Sequence, residues 1–226
     1  FRRAPAFGLF FSAFYVAVGF ILLMLGAGTF VWTLALSLGF PLVAPFAAVG
    51  LYDVSRRLEA GQPLVWSEIL GVVIAERDRQ TLWIGAIILI IFLFWSFFAH
   101  MLFALFMGLS TLTNISSSYE VLLTSNGLTM IALQIGVGGA VAFLVFSATV
   151  VSLPLLLENE LDFVTAMIVS FQTVGRNLPV MLVWGAVIAT LLFLGMLPLF
   201  LGLLVVLPVL GHATWHLYRR ALYHPA

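Results

Sequence analysis

The chain has 226 residues, of which 63% are hydrophobic and 8% charged, with a formal net charge of zero and no cysteine. Ordinary soluble domains carry about 25% charge, so this composition, with a mean hydropathy of +1.21, excludes a water-soluble globule. The balanced charge excludes a basic nucleic-acid face, and the lack of cysteine excludes disulfides, thiolate nucleophiles and cysteine metal sites.

The start, Phe1-Arg2-Arg3-Ala4-Pro5, leads into an apolar run and reads as an anchor, because no small-residue cleavage site followed by a hydrophilic chain appears. Residues 7–51 hold no charge. A bilayer core takes about 20 helical residues, so this stretch predicts two spans, about 7–27 and 31–52, turning at 26–29. Pro41 and Pro45 predict a kink or interruption in the second. Residues 53–80 carry four Arg and five acids, and the apolar piece 65–75 inside them predicts a short helix lying in the membrane interface. The third span is predicted at 81–108. A connection at 109–129 follows, rich in Ser, Thr and Asn, with Glu120 as its only charge. The fourth span is 130–157, and residues 158–177 form a third connection with a second short helix. Spans at 179–195 and 199–217 are split by a turn near Met196-Leu197-Pro198.

The expected fold is therefore all-α: a polytopic membrane domain over 1–226 with six transmembrane helices and short cytoplasmic interfacial helices. All nine basic residues are Arg, at 2, 3, 56, 57, 77, 79, 176, 219 and 220. With six spans every one falls on the same side, and positive residues mark the cytoplasmic side. Both termini are then expected in the cytoplasm of a bacterial inner membrane.

Two halves resemble one another. Glu59 and Glu158 are 99 positions apart, as are Arg77 and Arg176, and Gly85-Ala86 recurs at Gly185-Ala186. Aromatic residues and arginines at the end of any membrane helix supply part of this pattern.

Sites for chemistry are few. His212 and His216 share a helix face at i, i+4 and are the candidate metal ligands. No His-Glu-x-x-His motif accompanies them, and an interfacial or packing role is the simpler reading, so no metal or other cofactor is expected. His100 lies about 19 residues, roughly 28 Å, from the other end of its span. On ideal helices that is roughly 15 Å or more in depth from His212, which excludes a haem shared between them. No ionisable residue stands at mid-depth in spans 1, 2, 4 or 5, which disfavours an ion-driven carrier. The acids Glu158, Glu160 and Asp162 have no nucleophile or phosphate loop beside them and read as ion-pair partners of arginines.

The pieces Gly39-Phe40-Pro41-Leu42-Val43-Ala44-Pro45, Gly50-Leu51-Tyr52-Asp53-Val54-Ser55-Arg56-Arg57-Leu58-Glu59 and Gly211-His212-Ala213-Thr214-Trp215-His216-Leu217-Tyr218-Arg219-Arg220 resemble a family of predicted integral membrane proteins of unknown function from proteobacteria. Pro154-Leu155-Leu156-Leu157 and Thr165-Ala166-Met167 fit it as well. The resemblance implies a bacterial inner-membrane protein. It also points to a functional cluster on the cytoplasmic face formed by Tyr52, Asp53, Arg56, Arg57 and the segment from His212 to Arg220, with His216, Arg219 and Arg220; Glu158 and Asp162 are expected to join it as ion-pair partners of arginines. The function expected is that of a non-catalytic membrane protein, an accessory or partner-binding subunit, with a protein partner or a second copy beside it in the bilayer. The alternative is a small carrier or channel for a neutral or lipid-like molecule.

Overall fold

The computed structural model describes residues 3–24, 30–77, 80–108 and 122–223. The expected turn at 26–29, most of the connection at 109–129 with Glu120, and Arg2, Asp78, Arg79 and His224 lie outside the described residues. The elements are helices: α1 (Pro5–Met24), α2 (Phe30–Glu59), α3 (Trp66–Arg77), α4 (Thr81–Met107), α5 (Ser125–Thr149), α6 (Ser152–Glu158), α7 (Phe163–Arg176), α8 (Leu178–Met196) and α9 (Leu203–Tyr223). In hydrocarbon each backbone N–H and C=O must find its partner within the segment, and the helix does this at every step. Contrary to the expected interruption, α2 stays helical from 30 to 59, through both of its prolines.

The six-span expectation is corrected. Among the described residues, three helices are long and apolar enough to cross a membrane: Thr81–Phe106, Ser125–Glu158 and Leu178–Met196. The apolar helix Pro5–Ile21 is shorter. Charge-free length in the sequence overstates apolar length in a single helix. The helix that begins at 30 continues into Asp53, Arg56, Arg57 and Glu59. The one that begins at 203 meets His212 after only two and a half turns, then His216 and two arginines. The count of arginines on one side, which rested on six crossings, falls with it.

The three spans differ in what surrounds them. Only 11% of the apolar window of α4, and 11% of that of α8, is buried by protein, against 56% for α5 and α6. On α4 the side chains of Trp83, Ile90, Phe94, Phe97, Met101 and Leu105 point outward at mostly three- and four-residue spacing, the stripe that one helix face turns to lipid. The chain is thus a multi-pass membrane protein embedded through apolar helices.

Between α5 and α6 the helix breaks at Val150 and Val151. Pro154 accounts for the break, since its ring clashes with the carbonyl four residues back and it has no N–H to give. Ser170 on α7 repairs it: its hydroxyl accepts from Val151 N at 3.2 Å and donates to Ser147 O at 2.7 Å. Ser170 is fully buried, and with Ala166, Thr173 and Val174 forms the buried face of α7.

At the far end of α8 the chain turns within six residues. Leu199 and Phe200 hold left-handed backbone angles, with φ of 52° and 66°, at a cost of about 1–2 kcal/mol per residue. The tight turn lets α9 start directly against α8. A Cβ added to Gly202 would stand 2.7 Å from the Gly195 Cα and carbonyl oxygen, so glycine is required there by backbone contact.

The main core joins Val49 and Tyr52 of α2, Val150 to Leu157 around α6, and Trp215 and Tyr218 of α9. An apolar core therefore lies between α2, α6 and α9. The recurring residues close elements in both places: α2 ends at Glu59 and α6 at Glu158, and α3 ends at Arg77 and α7 at Arg176.

Candidate functional site

The polar side chains converge where α2, α6 and α9 end together. Asp53 is completely buried on the last turns of α2 and accepts two guanidinium groups from its own helix. Arg56 Nη2 donates to Oδ1 at 2.5 Å and Arg57 Nε to Oδ2 at 2.9 Å. Both pairs follow from helix geometry, because positions three and four apart share a face. The arginines then reach outward. Arg56 Nη1 donates to the carbonyl of Leu157 at 3.3 Å, on α6. Arg57 pairs with Glu68 on α3. The bond to Asp53, followed by Glu68, holds the Arg57 guanidinium above its ordinary value, although its own desolvation works against this. One buried carboxylate thus orients two cations that tie α2 to α3 and α6.

A second group grips α9 with Glu59 and Glu158, 99 positions apart. Trp215 Nε1 donates to Glu59 Oε2 at 2.9 Å, and the Tyr218 hydroxyl donates to Glu158 Oε2 at 2.5 Å. Arg219 lies between the two acids. Its Nη1 donates to Glu158 Oε1 at 3.3 Å, while its Nε stands at ion-pair rather than hydrogen-bond distance, 3.5 Å, from Glu59 Oε1. Its guanidinium also stacks on the Tyr223 ring, 4.5 Å from the centroid, a cation–π contact. Burial, and then the neighbouring carboxylate, push the Tyr218 phenol far up, so it remains a donor at any physiological pH.

His212 is held differently. Its Nδ1 is 2.6 Å from Ser55 Oγ, and the same Oγ donates to Leu51 O at 3.1 Å. This contact ties α9 to α2 through one buried hydrogen bond. Burial pushes the His212 pKa down from its ordinary 6.5 to about 4.

Of the residues expected in the cluster, Tyr52, Asp53, Arg56, Arg57, Glu158, His212 and Arg219 come together in this region. Tyr52 belongs to its apolar floor, its ring 6.4 Å from that of Trp215. His216 lies one turn beyond His212, exposed. Asp162 stands apart as the cap of α7, accepting from Thr165 N at 2.8 Å; the Thr165 side chain and amide hold its carboxyl below the usual range. Arg220 is exposed. Sequence reasoning misses Ser55 and Glu59 as members. The repeat offset that pairs Glu59 with Glu158 is the signal that could have found one of them. Among the described residues no group of three or more His, Asp or Glu side chains is arranged to hold a metal ion, and His100 donates from Nδ1 to its own helix, at Ser96 O, 2.6 Å away.

A second feature lies in the membrane-spanning part. A groove of about 680 Å³ runs between α4, α5 and α8. Small residues line two of its walls, Gly138, Gly139 and Ala142 on α5 and Gly185, Ala186 and Ala189 on α8, with Trp95 of α4 beside them. Thr149 is the only hydroxyl residue in its lining.

Fold and site together define a multi-pass, all-helical membrane protein with a polar clasp at one end and a nearly wholly apolar groove in its span. Residues 33–158 match the family described as "Predicted integral membrane protein (DUF2189)", and the chain belongs to that family. The matched stretch runs from α2 to the end of α6, so the segment 211–220 that carries half of the clasp lies beyond it. No curated protein and no solved structure matches the chain.

Proposed function

We propose that this is a non-catalytic accessory subunit of a bacterial inner-membrane complex, and that the groove between α4, α5 and α8 receives a transmembrane helix of its partner. The carrying observation is the paired small-residue walls, Gly139 with Ala142 on α5 and Gly185 with Ala189 on α8; a Cβ at Gly139 meets nothing within 4 Å. Between helices in lipid there is no hydrophobic gain, so association rests on close van der Waals packing. Small residues three or four apart let a third backbone approach closely, and two such walls facing one space offer that surface twice. The clasp has a structural part in this reading: it fixes α2, α6 and α9, against which the groove-forming helices are braced. A photo-crosslinking residue at Ala189, activated in native membranes, tests the proposal. A discrete polypeptide adduct that disappears when Ala142 is replaced by Leu supports it; adducts with lipid alone overturn it.

The second reading, a carrier for a neutral or lipid-like molecule, is favoured by one observation, the apolar lining of this groove. The buried apolar cluster between α2, α6 and α9 counts against a polar path through that part of the molecule. In either case we place the clasp end, with Arg56, Arg57 and Arg219, in the cytoplasm, where cationic segments are retained.

A further inference from the structure

The chain reverses between α8 and α9 without a polar side chain. Residues 191–211 hold none, and the reversal itself reads Met196-Leu197-Pro198-Leu199-Phe200-Leu201-Gly202. α5 begins, like α9, at its end remote from the clasp, and opens on Thr124, Ser125 and Asn126, all exposed. One remote end is therefore written for water and the other is not. The backbone of the reversal is closed on itself as well. The amides of Leu199, Phe200, Leu201, Leu203 and Leu204 donate to the carbonyls of Leu197, Met196, Pro198, Phe200 and Leu201 at 2.9–3.1 Å, and Pro198 has no amide to satisfy. A turn in water needs no such closure, whereas in hydrocarbon each unpaired backbone group is costly. The left-handed angles of Leu199 and Phe200 are the strain accepted for it.

The depth of the reversal can be read against α1, which runs antiparallel to α9. Arg3, before α1, lines one pocket with His216 near the end of α9. Gly19 meets Phe200, just before α9 starts: a Cβ on Gly19 would stand 2.7 Å from the Phe200 ring. The ring thus rests on the α1 backbone and holds the left-handed residue in place. Beyond Gly19, α1 continues to Met24, roughly 7 Å further along its axis. Phe20, Ile21, Leu23 and Met24 are exposed there, so lipid-facing apolar surface extends past the level of the reversal.

We infer that α8 and α9 form a re-entrant hairpin, whose tip lies among the acyl chains of the leaflet remote from the clasp and does not emerge into water. Leu197, Leu199 and Leu201, each more than half exposed, are the side chains it presents to those chains. The length of α8 agrees. Its 19 residues make roughly 28 Å against a hydrocarbon core of about 30 Å, so a helix that starts at one surface ends inside the core whatever its tilt. The lining that α8 gives to the partner-helix groove stops at Leu192, short of the tip, and the inference is independent of that groove.

The chain has no cysteine, so a single introduced thiol reports one place. Spin labels at Leu197→Cys, Leu201→Cys and Ser125→Cys, each in the full chain reconstituted into phosphatidylcholine vesicles, are compared by power-saturation electron paramagnetic resonance. The two collision partners are oxygen, which concentrates in hydrocarbon, and nickel ethylenediaminediacetate, which stays in water and is supplied to both faces. At the two tip positions nickel collisions are expected to fall at least about tenfold below those at Ser125, because a polar complex leaving water for hydrocarbon loses its hydrogen bonds uncompensated; oxygen collisions are expected to rise. Two tip positions keep the test in force if one variant does not fold. Nickel collisions at the tip equal to those at Ser125 put it in water and overturn the inference. Low collision with both reagents shows the tip covered by protein and overturns it as well.

Discussion

Replacing Asp53 by Asn removes one charge and no volume, at the residue from which the clasp is organised. The carboxylate is fully buried, and its partner Arg57 has a side chain only 13% exposed. Breaking a buried pair from one side costs about 3–5 kcal/mol, because the remaining charge keeps its desolvation without its partner. Arg56 is a third exposed, so its share is screened to about 1 kcal/mol or less. Arg57 retains Glu68, which is itself more than half exposed and offsets little. The Asn amide adds a further conflict, as its N–H₂ faces a guanidinium that also donates. The net loss is about 3 kcal/mol, near the bottom of the buried-pair range. For a chain of this size each kcal/mol moves Tm by roughly 2–4 °C, giving a fall of roughly 6–12 °C. Thermal unfolding followed by tryptophan fluorescence in a mild non-ionic detergent reads it, with Glu68→Gln as the exposed-pair control expected to cost less than about 1 kcal/mol. If Asp53→Asn melts within about 2 °C of the wild type, the buried carboxylate is not what organises this end of the molecule.

Three further outcomes follow from the same geometry. Tyr218→Phe deletes the hydroxyl that donates to Glu158 at 2.5 Å and should cost about 1.5–3 kcal/mol, the range for bonds to a charged group; the same unfolding assay checks it. Gly202→Ala places a methyl group against the Gly195 backbone, which cannot rotate away, and should cost about 1–3 kcal/mol, whereas the same change at Gly136, where a Cβ meets nothing within 4 Å, should not destabilise. His212 is neutral in the fold, with its pKa lowered to about 4 from 6.5. The unfolded chain therefore takes up a proton at this site between those values while the folded chain does not. This contribution to stability is complete above pH 6.5 and is lost on acidification at about 1.4 kcal/mol per pH unit, roughly 2 kcal/mol by pH 5. Unfolding midpoints at pH 7.5 and 5 should differ more for the wild type than for His212→Gln; equal differences would show that this imidazole does not titrate as described.

The helical class and the bilayer were legible because both are written in lengths: long charge-free runs admit little else. The number of spans was not. Val49, Leu51, Tyr52 and Val54 are as apolar as the outward residues of α4, yet in α2 they are buried against protein. Hydropathy registers dislike of water and cannot separate lipid from a neighbouring helix. The Asp53, Arg56 and Arg57 group was readable because its spacing lies within one helix turn. The contact of Glu158 with Arg219, 61 positions apart, had only the resemblance of the quoted pieces and the 99-residue offset to suggest it. The bond from His212 to Ser55 spans 157 positions and leaves no local mark, since a serine near a helix end is commonplace. The break after α5 was in principle readable from Pro154, but its repair by Ser170 depends on how α7 packs, which no local pattern fixes.

The groove between α4, α5 and α8 is the feature on which the functional account stands, and the mass of the particle drawn from native membranes tests it most directly. The account predicts that the wild-type chain of 24.7 kDa is recovered in mild detergent with a stoichiometric partner, and that filling the walls with Ala142→Leu and Ala189→Leu releases it as a folded single chain. A wild-type particle with the mass of one chain, or a partner retained equally by the filled variant, would contradict it.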